Sequence, residues 1–180
     1  MAICNPTGSL SVTIREEIRL PNGNMEQSIN TEVIKDVNQI MKRTDTIAPT
    51  FSGSGIEILR FVDSEEQQTA GSFVRDTVKY MRFTNLCSTN FVSLYLIQDS
   101  PEAQNPNTGN VGSGDESLFK LDAGKSMVFS NAQFQGTDYY DYVVEGYVDI
   151  QYFSSFATLS SIKAKADTAS VQIEYFVASS

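Results

Sequence analysis

Residues 170–178 read SVQIEYFVA, and their period decides the fold. Val171, Ile173, Tyr175 and Val177 share one parity, with Gln172 and Glu174 between them. A period of two places the first set on one face of a strand and the second on the other. The same period opens the chain in SLSVTIREEIRL (9–20), where Leu10, Val12, Ile14, Ile18 and Leu20 share a parity that only Glu16 interrupts. That interruption marks an edge, a bulge or an exposed end. Pro21-Asn22-Gly23-Asn24 follows, and Asn-Gly is a strong hairpin signal, so the return strand runs through Met25–Val33.

Further strands follow in the same way. In Asp36–Met41, Val37, Ile40 and Met41 fit a short helix turn as well as a strand, and the two threonines and Ile47 before Pro49 favour strand; PTFSGSG (49–55) reads as a loop. Ile56–Val62 is a strand and SEEQQTAG (64–71) a polar connection. Phe73–Leu86 and Phe91–Ile97 carry apolar side chains on both parities, which suits central strands covered on both faces or strands at a subunit contact. Leu118–Leu121 and Ser126–Phe129 flank a turn at Asp122-Ala-Gly-Lys. Tyr139–Phe156 is aromatic-rich and holds the strand-like VVEGYVDIQYF, and Leu159–Ala166 precedes the final strand. Many short strands, turns between them and almost no helical pattern give an all-β chain, an antiparallel β-sandwich or jelly roll in a single domain, 1–180. Residues 1–50 are expected to form an N-terminal arm or hairpin extension, and 98–117, rich in Gly, Pro, Asn and Ser, a mobile surface loop.

Composition narrows the chemistry. The 180 residues contain no His and no Trp. Without histidine there is no Ser-His-Asp or Cys-His nucleophile, no HExxH zinc site and no facial-triad iron site. Cys4 and Cys87 lie far apart in no metal-binding spacing, and idle thiols are the reading for both. A net charge of −9 argues against binding to nucleic acid or an anionic membrane. The start, MAICNPTGSL, lacks a charged segment followed by an apolar one and does not read as a signal peptide.

Several candidate sites meet plainer readings. The clusters Asp63/Glu65/Glu66, Asp115/Glu116 and Asp138/Asp141 have the chemistry for glycoside hydrolysis or calcium, but no motif, and read as solvated loop charge. Lys125 and Ser126 are adjacent on a strand and point to opposite faces, so they make no dyad. Lys79, Arg82 and Lys120 read as solvated strand-face cations, with pairing to acidic neighbours across subunit interfaces as the alternative. Tyr139, Tyr140 and Tyr142 are the candidate interface or glycan contacts, since tyrosine stacks on sugars and buries area at low entropic cost. The plainer reading puts them in the core or a subunit contact. No catalytic, metal-ligating or cofactor-binding residue is expected.

Four segments in order carry a resemblance: GSFVRDTVKYMRFTNL (71–86), STNFVSLYLI (88–97), FKLDAGKSMVFSNA (119–132) and LSSIKAKADTASVQIEYFVAS (159–179). Together they resemble small virion structural proteins of tailed phages of marine bacteria, cyanophages among them. SLSVTIREEIRLPNG (9–23) resembles such proteins more loosely. The resemblance implies a non-enzymatic, multi-copy virion component assembled in the host cytoplasm: a capsid decoration or cement subunit, or a neck or tail subunit. Its implied partners are further copies of itself, with a trimer as the natural form, and other virion proteins. A carbohydrate- or receptor-binding module contacting a host surface glycan is the alternative. Lys125 and the Ala166–Ala169 turn match as structural positions only.

Overall fold

A computed structural model describes residues 8–21, 23, 25–49, 55–98, 116–130, 156 and 159–180. Among them are eleven strands: β1 (Gly8–Arg19), β2 (Met25–Val37), β3 (Gln39–Ile47), β4 (Ile56–Val62), β5 (Ser72–Val74), β6 (Val78–Asn85), β7 (Val92–Gln98), β8 (Glu116–Leu121), β9 (Ser126–Ser130), β10 (Leu159–Ala166) and β11 (Val171–Ser179). The chain is an all-β sandwich, as its period-two pattern predicts. One sheet runs β5-β4-β10-β7-β8 and the other β3-β11-β6-β9; β1 and β2 pair only with each other.

With β5 set aside as an added edge strand, the rungs β3–β11, β4–β10, β6–β9 and β7–β8 are all antiparallel. They are the rungs of one long hairpin, with β3, β4, β6 and β7 as its first arm and β8 to β11 as its second. Rolling that hairpin so alternate rungs fall in opposite sheets makes a jelly roll. β6 and β7 lie inside their sheets, as their two-sided hydrophobicity implies.

The inward parity of each sheet meets the other in one core. Val171, Ile173, Tyr175 and Val177 of β11 are fully buried with Met81 and Phe83 of β6, facing Leu94, Leu96, Ile162 and Ala164 of the opposite sheet. Aromatic rings cross the sandwich in a row. Phe119 of β8 meets Phe129 edge-on at 5.8 Å, Phe129 meets Phe83 at 6.1 Å, and Phe83 stacks on Tyr175 at 6.3 Å. Gly55 enters β4 at φ 88°, where a Cβ would collide with the Ala164 backbone of β10, so the chain needs glycine there.

Several boundaries move from their sequence expectations. The return strand of the first hairpin continues past Val33 to Val37, because Ile34 and Val37 are buried against the main sheet. Asp36, at φ 57°, is skipped in the register between Gly8↔Val37 and Ser9↔Lys35. This bulge bends β2 onto the sheet before the chain turns at Asn38 into β3. Segment 1–50 therefore divides: β1 and β2 form the separate hairpin, and β3 is part of the sandwich. Phe73–Leu86 breaks into β5 and β6 around a 3-10 turn at Arg75–Thr77, where the Thr77 hydroxyl donates to the Val74 carbonyl at 2.8 Å. At segment 98–117, Gln98 closes β7 and Glu116 and Ser117 open β8; residues 99–115 lie outside the described residues.

Candidate functional site

Tyr139, Tyr140 and Tyr142, the candidate contacts from sequence, lie outside the described residues, as do Asp115, Asp138, Asp141 and Cys4. Several of the other candidates are engaged locally. Asp63 pairs with Arg75 at 3.0 Å, and no group of three metal-ligating side chains occurs among the described residues. Ser126 shares a hydrogen bond with Thr84 at 2.8 Å on the neighbouring strand. The strand cations have partners within the chain: Arg82 pairs with Glu174 at 2.8 Å and Lys120 with Asp122 at 2.9 Å, and Lys79 donates to the Lys35 carbonyl at 3.0 Å. An open hollow of about 230 Å³ beside β4 and β5 is lined by Arg43, Glu57, Arg60, Thr69 and Ser72. Its two arginines already bind Asp45 and Glu57.

Two polar assemblies, one buried and one half-buried, hold the sandwich rather than offer a site. Asn85, fully buried at the end of β6, donates to the carbonyls of Asn90 (2.9 Å) and Leu121 (3.1 Å) and accepts from the Cys87 amide (2.9 Å). Three chain segments are thereby tied at one residue. Tyr175 donates to Asp45 at 2.6 Å, and Arg43 binds the other oxygen at 2.9 Å. Burial, then the Asp45 hydrogen bond, push the Tyr175 phenol well above its usual range, so it stays a donor at any ordinary pH. Cys87 carries a free thiol. Backbone amides of Thr89 and Asn90 directed at its sulfur draw its pKa down to about 7.

The feature without an internal explanation is the β1–β2 hairpin. Its base lies on the outer face of the β3-β11-β6-β9 sheet, where Ile34, Val37, Tyr80 and Ala178 form a second buried cluster. Leu10, Val12, Val128 and Phe176 pack against it. Glu32 accepts from Ser130 at 3.3 Å and Asn38 donates to the Ser179 carbonyl at 2.8 Å, so the base is bonded as well as packed. Beyond the base the same strands run on, closed at the tip by the Gly23 amide on the Leu20 carbonyl at 3.0 Å. There the apolar side chains Ile14, Ile18, Leu20 and Ile29 are bare, Ile29 to 62 %, and Val33, on the opposite face of the base, is exposed as well.

The register sorts these residues onto two faces. Leu10↔Ile34, Val12↔Glu32, Ile14↔Asn30, Glu16↔Ser28 and Ile18↔Glu26 form the face whose base sits on the sandwich. Ser11↔Val33, Thr13↔Thr31, Arg15↔Ile29 and Glu17↔Gln27 form the opposite one. Glu17 bridges Arg19 at 2.7 Å and Arg15 at 3.7 Å on that opposite face. Sequence pattern marked the alternation and the break at Glu16; it carried no signal for where the covering sheet ends.

Comparison of the chain with family models, with curated proteins and with solved structures finds no match in any of the three.

Proposed function

We propose that this protein is a non-enzymatic structural subunit of a tailed-phage virion, a multi-copy capsid decoration or cement protein or a neck or tail component. The observation that carries the reading is the arm: a two-stranded ribbon leaving a jelly-roll body with five large apolar side chains exposed along it. Exposed apolar surface of that kind, rimmed by charge, is what assembly contacts are made of. The four segments that resemble virion proteins of marine phages support the same role, since three of them contain the β6, β7 and β10–β11 core strands. Absence of histidine fits a subunit with no reaction to run.

The test is quantitative mass spectrometry of purified particles of the phage that encodes this chain. Abundance in proportion to the major shell protein supports decoration or cement; abundance in proportion to a neck or tail ring supports the second position. Particles that lack the protein overturn the reading. With a net charge of −9, attachment through apolar contacts is expected to survive a few-fold increase in salt, and release by salt alone contradicts it.

A further inference from the structure

The two faces of the arm differ in charge as well as sharing exposed apolar groups. Around Ile14 and Ile18, the sandwich-side face carries Glu16 and Glu26 and no cation. Around Ile29, the opposite face carries Arg15 and Arg19 with Glu17 alone between them. One face is thus apolar and negative, the other apolar and net positive. We propose that the free half of the arm is a self-association seam, in which the Ile14/Ile18 face of one copy packs on the Ile29 face of the next.

Like-on-like packing is disfavoured on both sides. Two sandwich-side faces would oppose Glu16 and Glu26 to themselves, and two opposite faces would oppose arginines. Face-to-opposite-face packing instead brings carboxylates to guanidinium groups while burying isoleucine on isoleucine. The free half, Ile14–Arg19, is about 20 Å long and roughly 10 Å wide, so one face offers on the order of 200 Å², a small contact beside the ~800 Å² per partner of a standard interface. Using both faces of every arm doubles the area each copy buries, and a heterologous contact of this kind continues into a ring of more than two copies or an open chain. The inference goes beyond the virion reading, because it concerns the isolated chain and holds or fails without a particle.

The test is sedimentation of the full chain with Ile18→Asn and Ile29→Asn variants. Both side chains are exposed, at 54 % and 62 %, so neither change touches the core, and an unchanged near-UV circular dichroism spectrum verifies that. The wild type is expected to sediment as a species larger than a dimer, and each variant as a monomer. Mixing the two variants should then give a dimer and nothing larger, since the intact Ile18 face of one fits the intact Ile29 face of the other. A second handle is charge: Glu16→Arg should weaken assembly about three- to fivefold, and adding Arg15→Glu to it should restore assembly. Retained assembly in either isoleucine variant shows a face pairing with itself and overturns the proposal. So does a monomeric wild type, whether it stays free or floats with phosphatidylcholine vesicles.

Discussion

β11 and β1 are written in the same alternating code and finish in opposite environments. In β11, Val171, Ile173, Tyr175 and Val177 are fully buried between two sheets. In β1, Leu10 and Val12 reach the sandwich but Ile14 and Ile18 of the same parity stand in solvent. The contrast teaches that alternation specifies a strand with an apolar face and says nothing of what covers that face. For β11 the cover is the rest of the chain. For the outer half of the arm, none of the described residues supplies one.

The comparison breaks if the body does not behave as the stable unit. Phe83→Ala empties the centre of the aromatic row and should lower stability by about 3–5 kcal/mol, measured by denaturant unfolding. A loss near zero would mean the sandwich core is not packed as described. Asn85→Ala removes three hydrogen bonds at a fully buried site and should cost roughly 2–3 kcal/mol, because the partners of Asn85 are left without donors and acceptor. Hydrogen exchange should show the loss at the β6–β7 connection first.

The arm itself can be split along its length. Ile34→Ala, at the buried base, should cost about 2 kcal/mol, whereas Ile29→Ala, beyond the sandwich, should change the stability of the isolated chain by less than about 0.5 kcal/mol. Equal effects would erase the distinction between base and outer half. The smallest expected effect lies on the outer sheet face past the arm, where Lys42 and Arg82 hold Glu174 at 3.0 Å and 2.8 Å. The Lys42 hydrogen bond first, then the nearby charges, lower the Glu174 pKa below its ordinary value of 4.5. A depressed carboxylate pKa adds stability that is present above the unfolded pKa and lost as pH falls through the folded one. Glu174→Gln should therefore be slightly less stable than wild type at neutral pH, with the difference closing below about pH 4.5; a difference that persists in acid would rule out the ion pairs as its source.

Much of the fold was legible in residues. Parity placed β4, β10 and β11 within a residue or so of their observed bounds, and two-sided hydrophobicity marked β6 and β7 as interior strands. What was not legible depends on partners distant in sequence. Asn85 looks like a turn residue, and its role as a tie comes from Leu121 and Asn90 arriving beside it. Tyr175 reads as one more core aromatic; its hydrogen bond to Asp45 exists only because β3 pairs with β11. Within the candidate site, the sequence showed the arm strands, their turn and the break at Glu16, but not which half would be bare.

Sequence alone determined that this chain is all β, that it lacks the imidazole that most often serves as a general base, and which side chains share a face on each strand. Those properties are local: side-chain parity follows from backbone geometry, and composition needs no fold. Only the tertiary structure decided that eight of the strands roll into a jelly roll and that the β3-β11-β6-β9 sheet ends partway along the arm. Burial depends on what long-range pairing brings to a surface, so the same alternation became core in β11 and, past the sheet's end, an exposed apolar face in β1.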